Sequence, residues 1–315
     1  MSTIAAFIDF KSGNLTSRSI QIINLVNSIA KNFSELEKVC FYTLDSNDAV
    51  GINTSIPSTL IQIKGLQEDR TISNSQLSEI VNSIASNNCT CVIGYKSAFI
   101  DHVLASMAVH VGLPVITQIN SISIKDKSIH LRQSIFSGKA NSFLQTNLSA
   151  MFILNPAFEF IARDEGTSKA SNSELQISAS LPYSTILSTQ QGHGASLVDA
   201  AYVVGAGRGL KDPSNWTMIE ELAAKIGAAT ACSKPVSDVN WRPHSEHVGQ
   251  TGIKIAPKLY IACGISGAIQ HLAGVNGSKT IVVINNDPEA PFFKYADYGI
   301  VGDVFEIVPE IVKNL

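Results

Sequence analysis

Residues 247–288 have the sequence HVGQTGIKIAPKLYIACGISGAIQHLAGVNGSKTIVVINNDP. Loops rich in small and short polar residues lie at 248–252 (VGQTG), 264–271 (GISGAIQH) and 284–288 (INNDP). Apolar runs precede the second and third loops, and a helical pattern follows the second. Such loops place backbone amides and short polar side chains at strand ends, so this stretch, extended to residue 303, predicts one cofactor pocket.

The composition is typical of a globular protein, and its 315 residues are enough for two domains. The hydrophobic content is 45%, the charged content is 16%, and the net charge of −3 gives no electrostatic reason to expect a nucleic acid partner. The five cysteines match neither a disulfide framework nor a Cys-x-x-Cys motif, which favours a reducing compartment. The uncharged window 259–278 is long enough for a membrane span, but its four glycines and its polar residues indicate a buried strand, loop and helix.

The N-terminal sequence MSTIAAFIDF lacks the basic region of a secretory signal and is not arginine-rich like a transit peptide. We therefore expect it to form a first strand. The predicted location is the cytoplasm, or the mitochondrial matrix in a eukaryote.

The first half of the chain alternates strand and helix patterns. Apolar runs predict strands at 4–10, 39–44, 59–63, 91–94 and 114–119, and helical spacing predicts helices at 17–31 and 97–111. This alternation favours a parallel sheet. Shorter alternating stretches from 121 to 154, with a turn at Ser137-Gly138, predict an antiparallel β-hairpin extension of that sheet.

The second half predicts a doubly wound parallel sheet. Strands are expected at 200–204, 228–233, 259–262, 280–284 and 299–301, and helices at 215–226, 268–274 and 304–315. The loop GAGRGL at 205–210 resembles a phosphate-binding loop, but Leu210 stands where a dinucleotide fingerprint requires a third glycine. Glu220 and Glu221 come too early to bind a ribose.

The expected fold class is α/β with two domains. We predict an N-terminal α/β domain over 1–183, a polar linker over 184–198, and a doubly wound C-terminal domain over 199–315. Ligands of doubly wound sheets bind beyond the carboxyl ends of the strands. In this chain those positions hold Arg208, Ser233, Ser266 and Asn285.

Several motifs of the second domain occur in the order found in a known family. They are GRGLK (207–211), VGQTG (248–252), LYIA (259–262), GISGAIQHL (264–272), NNDPEAP (285–291) and ADYGIVGD (296–303). Together they resemble the alpha subunit of electron transfer flavoproteins over essentially the whole domain. The resemblance is weaker in the first domain, where it rests on SAF (97–99), GLPV (112–115) and FSGKA (136–140).

The resemblance implies an electron carrier without substrate turnover of its own. The chain would bind FAD on its C-terminal domain and pair with a beta subunit through its N-terminal domain. It would pass electrons from dehydrogenases, such as the acyl-CoA dehydrogenases of fatty acid β-oxidation, to an acceptor such as a quinone oxidoreductase. Two alternatives stay open: an electron-bifurcating relative that uses NADH and whose beta subunit also carries FAD, and a stand-alone flavin- or NAD-binding oxidoreductase module.

The resemblance also implies which residues contact FAD. The pyrophosphate would lie on the loop before the helix at 268–274, where free amides and the positive end of the helix dipole favour an anion. The residues expected there are Ser266, Gly267, Ala268, Ile269 and Gln270. The residues expected at the adenosine end are Asn285, Asp303 and Val304.

Other residues are expected beside the flavin ring. Val248, Gly249, Gln250 and Thr251 match the loop in which a threonine hydroxyl can bond flavin N5. His271 matches the residue that faces the pyrimidine carbonyl, where a hydrogen bond to a charged flavin would contribute roughly 1.5–3 kcal/mol.

Two positive side chains complete the predicted site. Arg208 matches a family arginine. Ser233 matches a family serine that an arginine usually follows, whereas this chain has Lys234. Lysine keeps the positive charge but lacks the planar guanidinium that stacks on rings, so we expect altered tuning of the flavin.

Two further motifs are incomplete, and no catalytic or metal-binding residue is assigned. His244 and His247 lie three residues apart without a further ligand nearby, which does not define a metal site. The run Gly264-Ile265-Ser266-Gly267 would need a glycine at Ala268 to form a hydrolase nucleophile elbow.

Overall fold

A computed structural model describes residues 2–11, 13–45, 51–66, 72–135, 140–156, 158–160, 166–178, 197 and 200–315. The chain divides into two compact units, Met1–Ser188 and Thr189–Leu315. The expected linker at 184–198 lies outside the described residues, apart from Leu197. None of the helices in the described part of the chain is long and apolar enough to cross a membrane.

The first unit is built from strands and three helices. Its strands are β1 (Ser2–Phe7), β2 (Phe10–Lys11), β3 (Asn14–Leu15), β4 (Leu36–Thr43), β5 (Asn53–Thr54), β6 (Ser58–Lys64), β7 (Cys89–Tyr95), β8 (Val115–Lys125), β9 (Ser128–Ile135), β10 (Ala140–Thr146), β11 (Ala150–Leu154), β12 (Ser168–Lys169) and β13 (Ser171–Gln176). Its helices are α1 (Ser17–Asn32), α2 (Asn74–Ser86) and α3 (Ala98–Val111).

Nine of these strands form one sheet in the order β10-β9-β8-β11-β7-β1-β4-β6-β13. Pairing is parallel from β8 through β11 to β13 and antiparallel from β8 through β9 to β10. The predicted parallel sheet with a hairpin extension is therefore confirmed. The turn between β8 and β9 is Asp126-Lys127, where φ is 50° and 56°, as two-residue hairpin turns require. The Ser137-Gly138 turn lies outside the described residues.

Local sequence explains where the helices of the first unit begin. The side chains of Thr16 and Ser97 accept hydrogen bonds from the first turns of α1 and α3. Ser73 and Gln76 form a reciprocal capping box at the start of α2. Helix α2 was not predicted above, although Leu77, Ile80, Val81 and Ile84 have helical spacing and are buried.

Helices cover both faces of this sheet. Alternate residues of β1 point to opposite sides, so that Ile4 and Ala6 pack with α1, whereas Ala5 and Phe7 pack with α2 and α3. Each face therefore has its own hydrophobic core.

The second unit repeats this plan with a smaller sheet. Its strands are β14 (Tyr202–Ala206), β15 (Ala229–Cys232), β16 (Leu259–Cys263), β17 (Thr280–Asn285) and β18 (Tyr298–Val301). Its α-helices are α4 (Thr217–Ile226), α5 (Lys234–Asp238), α6 (Ile269–Val275) and α7 (Val304–Asn314). Short 3-10 helices lie at Arg208–Leu210, Pro213–Trp216, His244–Glu246 and Pro291–Tyr295.

The five strands pair in parallel in the order β15-β14-β16-β17-β18. Helices α4 and α7 pack on one face, and α6 packs on the other. The predicted doubly wound sheet is thus confirmed. The helix expected at 215–226 is divided, because residues Pro213–Trp216 form a 3-10 turn that Asp212 caps.

Candidate functional site

The strand order of the second unit reverses between β14 and β16. Glycines allow the loops that follow these two strands to pack closely there. The amide of Gly207 donates to the carbonyl of Cys263 over 3.0 Å, and that of Gly209 donates to Gly264 over 3.1 Å. A Cβ at Gly207 would lie 2.4 Å from the carbonyl oxygen of Gly264. The glycines of GAGRGL therefore bring two loops together, which accounts for them without a phosphate.

Polar residues collect along the carboxyl edge of this sheet. Arg208, Ser233, Ser266 and Asn285 lie at or just after the ends of β14 to β17, whose last residues are in register. Ser233 and Asn285 are buried, whereas Arg208 and Ser266 are exposed. The sequence prediction that these loops converge on one edge is confirmed.

The loop with Gln250 and Thr251 is fixed by its backbone. The amide of Val248 donates to the carbonyl of Cys232 over 3.0 Å, and that of Gln250 donates to Gln270 over 2.7 Å. A Cβ at Gly274 would lie 2.4 Å from the amide nitrogen of Gly249, so the loop rests directly on α6. The side chains of Gln250 and Thr251 point outward and are exposed.

The loop before α6 offers amides and exposed side chains. Ala268 is the N-cap residue and has no side-chain oxygen, so the first amides of α6 receive no side-chain cap. Ser266, Ala268, Ile269 and Gln270 are exposed around them. A bound anion could satisfy these amides, and this donor set suits a pyrophosphate.

Gly267 has a structural role of its own. Its φ of +83° lies in the left-handed region, and a Cβ there would be 2.4 Å from Cβ of Phe292. The amide of Phe292 also donates to the carbonyl of Ser266 over 3.1 Å. The close approach that requires glycine is therefore to the 3-10 turn at Pro291–Tyr295.

His271 is buried, and one of its two ring nitrogens lies within hydrogen-bond distance of a protein group. Its Nε2 lies 2.9 Å from the hydroxyl of Tyr260, whereas its Nδ1 is buried without a hydrogen-bond partner in the described structure. Burial lowers the pKa of His271 to about 4, with a weaker opposing effect from the backbone of Val248. The imidazole is therefore neutral at pH 7, and Nδ1 is an orphaned polar atom that a bound molecule could satisfy.

Tyr260 was missed by the sequence reasoning. It lies in the middle of β16 with none of its side chain exposed, and burial raises the pKa of its hydroxyl. A Cβ at Gly205 on the neighbouring strand would lie 2.0 Å from this hydroxyl. Gly205 thus makes the space from which Tyr260 reaches His271.

A second buried imidazole supports the Gln250 loop. His247 is 2% exposed, and its Nδ1 also lacks a partner in the described structure. Burial is the main cause that lowers its pKa.

Among the described residues no cluster of three or more His, Cys, Asp or Glu side chains could hold a metal.

Arg242 fixes the segment that leads into this loop. Its guanidinium donates to both carboxylate oxygens of Glu246 over 2.7 and 2.9 Å, and to Glu220 over 2.8 Å. The guanidinium also lies 5.2 Å from the ring centre of Trp216. Glu246 is only four residues from Arg242, whereas Glu220 and Trp216 come from another part of the chain, so the local sequence pattern does not identify the complete set of contacts.

The residues expected at the adenosine end are partly engaged by the protein. Asn285 donates to the carbonyl of Ile265 over 3.0 Å and accepts from the amide of Asp287. Asp303 caps α7 through the amide of Phe305, and its other oxygen lies 3.8 Å from Lys211 Nζ. Val304 begins α7 and is buried. Both oxygens of Asp303 thus face groups of the protein, one at the start of α7 and the other near Lys211.

Lys234 begins the short helix α5 and is exposed. Ser233 is the N-cap residue, but its hydroxyl makes no cap hydrogen bond. Neither the side chain of Lys234 nor that of Arg208 forms an ion pair or hydrogen bond within the described part of the chain. Both cations follow strands whose carboxyl ends lie on the same edge of the sheet as the start of α6, which favours an anionic ligand.

The second half of the chain is similar to a known family of domains. Residues 196–276 match the family described as "Electron transfer flavoprotein FAD-binding domain". The chain is 54% identical over 119 residues to the electron transfer flavoprotein subunit alpha of Paracoccus denitrificans, a match over 38% of this chain and 39% of the relative. It is 37% identical over 196 residues to the subunit alpha of Bacillus subtilis, over 61% of this chain and 60% of the relative.

A mitochondrial subunit alpha from Arabidopsis thaliana is 48% identical over 128 residues, which is 41% of this chain and 35% of the relative. The matched parts thus span between about a third and three fifths of these relatives. The match of residues 196–276 and the similarity to these subunits confirm the resemblance to alpha subunits of electron transfer flavoproteins.

Proposed function

We propose that the chain is the FAD-binding alpha subunit of a two-subunit electron carrier. It takes electrons from dehydrogenases, such as acyl-CoA dehydrogenases, and passes them to an acceptor such as a quinone oxidoreductase. The observation that carries the proposal is the strand-end face of the second unit. This face carries the cations Arg208 and Lys234, the start of α6 without a side-chain cap, and Nδ1 of His271 without a hydrogen-bond partner in the described structure. All of them lie within residues 196–276, which match the FAD-binding family.

The pyrophosphate of FAD is assigned to the start of α6. The amides after Gly267 and the side chains of Ser266 and Gln270 donate to its oxygens, while Ala268 and Ile269 line the approach. Arg208 supplies positive charge, and its planar guanidinium can donate two parallel hydrogen bonds to a phosphate. The uncapped, exposed state of this loop supports the assignment.

The flavin ring is assigned to the loop at 248–252 and to His271. Bound FAD supplies reversible electron transfer, while the protein supplies orientation and electrostatics. Gln250 and Thr251 present exposed polar groups, and Val248 and Gly249 hold their backbone against α6. If Tyr260 donates to Nε2, then Nδ1–H of His271 is the donor that a flavin carbonyl accepts from.

The remaining residues are assigned to the edges of the same face. Asn285, Asp303 and Val304 flank the adenosine end, where the oxygen of Asp303 that faces Lys211 can also accept from a ribose hydroxyl. Ser233 and Lys234 stand at the end of β15, beside the loop that holds the flavin ring.

The proposed partner is a beta-type subunit, and we assign its binding surface to the first unit. The proposed location is the cytoplasm, in keeping with five free cysteines that are all buried. No turnover is expected from the chain alone, because the redox chemistry requires an external donor and an external acceptor.

Co-expression with a neighbouring beta-type subunit tests this function. The complex is expected to purify yellow, to be reduced by dithionite, and to accept electrons from an acyl-CoA dehydrogenase only when that enzyme and its substrate are present. A folded, colourless complex that takes up no FAD would refute the proposal. NADH oxidation by a complex with two FAD molecules would support the bifurcating alternative instead.

A further inference from the structure

We propose, on the basis of the FAD assignment above, that His247 is a positioning residue that makes FAD binding depend on pH. Its neutral imidazole supports the turn at 249–252 in the conformation that binds the flavin ring. Protonation of the imidazole opens this turn and releases FAD. His247 is buried and acts through the turn, without contact to the cofactor.

The turn folds directly over the His247 ring. A Cβ at Gly252 would lie 2.8 Å from Nδ1 and 2.9 Å from Cγ of His247, and a Cβ at Gly249 would lie 3.3 Å from Nε2. The amide of Gly252 donates to the carbonyl of Gly249 over 3.2 Å, and that of Ile253 donates to the carbonyl of His247 over 2.8 Å. The imidazole therefore lies against both ends of a closed turn.

The two polar residues of the turn depend on its backbone for their position. Gln250 and Thr251 lie between the two glycines, and their side chains are exposed and make no hydrogen bond within the described part of the chain. Because these side chains have no partner in that part of the chain, a shift of the backbone over the His247 ring moves both of them.

The closed turn accommodates a neutral imidazole but not a charged one. His247 is 2% exposed, and its Nδ1 has no hydrogen-bond partner among the described residues. In the neutral ring Nδ1 can be the nitrogen without a proton, whereas the charged ring carries an N–H on both nitrogens. A buried charge with an unpaired N–H is strongly unfavourable, so the charged ring requires water, which enters only when the turn opens.

Neighbouring groups oppose the protonation of His247. Burial lowers its pKa most, the positive charges of His244 and Lys234 lower it further, and Asp238 has the opposite effect. The ring of His244 lies 5.1 Å from that of His247, edge to face, whereas Lys234 and Asp238 lie on α5. On α6, the charge of His247 in turn lowers the pKa of His271. In the folded chain His247 therefore takes up a proton only below its ordinary pKa of about 6.5.

The other titratable neighbours do not supply a counter-charge. Cys232 pairs with His247 in an isolated β-bridge, and burial raises the pKa of its thiol to about 12, so the thiol is neutral. Glu246 precedes His247 in the chain, but both of its carboxylate oxygens accept hydrogen bonds from Arg242. Among the described residues, exposed Asp238 is the acidic group left to favour the charged ring.

FAD affinity should fall on the acidic side of neutrality. The pKa of His247 is lowered in the folded chain, so the ring is neutral above pH 6.5 and the turn stays closed. Below pH 6.5 the open form gains a proton that the closed form binds only at lower pH, which reduces the fraction of chains competent to bind FAD. Because one proton is involved, the affinity falls by at most about tenfold per pH unit.

Fluorescence titration of the flavin-free two-subunit complex with FAD measures this dependence. The affinity should change little between pH 8.0 and 7.0 and should fall at least threefold between pH 7.0 and 5.0. His271, with a pKa of about 4, contributes little in this range, because only about a tenth of it is protonated at pH 5.0. An affinity that is the same at pH 7.0 and 5.0 overturns the proposal.

His247→Gln tests the residue, because glutamine fills the turn but does not titrate. Each variant is compared with itself at pH 7.0, and the affinity of His247→Gln should change less than twofold down to pH 5.0. His110→Gln, an exposed histidine on α3, is the matched control and should lose affinity like the unchanged chain. A purely structural role of His247 would weaken FAD binding by the same factor at every pH. Equal falls in His247→Gln and the unchanged chain overturn the proposal.

His244→Gln changes the charge beside the ring while His247 is retained. Removing the positive charge 5.1 Å from the ring raises the pKa of His247, so the fall in affinity should move to higher pH, most clearly at low ionic strength. This variant is decisive if His247→Gln takes up no FAD. A fall at unchanged or lower pH overturns the proposal.

The two proposals fail in different ways. A folded complex that binds no FAD at any pH refutes the FAD assignment and the role of His247 with it. Tight FAD binding without pH dependence refutes only the role of His247. Circular dichroism at pH 7.0 and 5.0 verifies that each protein is folded.

Discussion

His271 shows how a residue identified from the sequence acquires a different chemical role in the fold. The sequence predicts it beside the flavin but does not reveal that Nε2 already faces Tyr260, that burial holds the ring neutral, or that Nδ1 is the atom left over. These properties depend on Gly205, which comes from another strand and makes room for Tyr260. Such a combination has no local sequence signal.

The buried histidine should make stability depend on pH. Burial lowers the pKa of His271 to about 4, so the unfolded chain binds a proton at a higher pH than the folded chain. Stability is then complete above about pH 6.5 and is lost as the pH falls toward 4, by on the order of 3 kcal/mol. Urea unfolding at pH 7.5 and 4.5 measures this loss.

His271→Gln should reduce the loss of unfolding free energy between pH 7.5 and 4.5, whether or not the substitution changes the stability at pH 7.5. His110→Gln, an exposed histidine on α3, serves as the control. Equal pH dependence in His271→Gln and in the unchanged chain would remove His271 from the explanation.

Lys234 is where the sequence departs from the family pattern. It is exposed at the start of α5, next to the end of β15. Lys234→Arg should restore a planar, stacking cation and shift the FAD midpoint potential by on the order of tens of millivolts. Redox titration measures the shift, with the exposed Lys225→Arg on α4 as control. Identical potentials in all three proteins would show that Lys234 does not tune the flavin.

At the scale of elements, most segments with strong apolar spacing were predicted, whereas α2 and α5 were not. Helices α1, α3 and α7 have strong apolar spacing, and their predicted positions agree with the structure to within a few residues, whereas the parallel strands β11 and β13 were not predicted individually. Helix α5 has five residues, too few for a periodic signal, and depends on the turn at Ser233. The extension has three strands because β8 continues past its parallel partner to pair with β9.

The loop before α6 offers a test of what its glycine does. Gly267 and Gly227 both have positive φ, but a Cβ at Gly267 would meet Phe292 at 2.4 Å, whereas nothing lies within 4 Å at Gly227. Gly227→Ala should cost about 1 kcal/mol of unfolding free energy, from backbone strain alone. Gly267→Ala should cost at least about 2 kcal/mol more, because the 3-10 turn must also move.

Chemical denaturation of both variants measures the difference. Equal losses would show that contact with Phe292 is unimportant. Such a result would favour the role that the sequence predicts for Gly267, which is to let the backbone approach a ligand closely.

At the scale of the whole molecule, the sequence identified two α/β units and the FAD-binding half, because alternating strands and helices and several ordered motifs span many residues. The cavity at the carboxyl ends of β1, β4 and β7 in the first unit was not predicted. Its lining comes from three strand ends and two helix starts of the first unit, which only the folded topology brings together.

Two separate units should respond differently to FAD. Ligand binding to the folded state stabilises it by about 2.7 kcal/mol when the ligand is at 100 times its Kd. In a thermal scan, added FAD should raise the unfolding transition of the second unit and leave that of the first unit unchanged. Equal shifts of both transitions, or no shift of either, would contradict the assignment of FAD to the second unit.

The central claim is that FAD binds on the strand-end face of the second unit, and a titration of flavin-free chain with FAD tests it most directly. Quenching of flavin fluorescence should give one FAD per chain. Ser266→Trp places a large ring in the exposed loop before α6 and should weaken binding at least 100-fold while the melting temperature of the flavin-free chain stays the same. Equally tight FAD binding by Ser266→Trp and the unchanged chain would contradict the account.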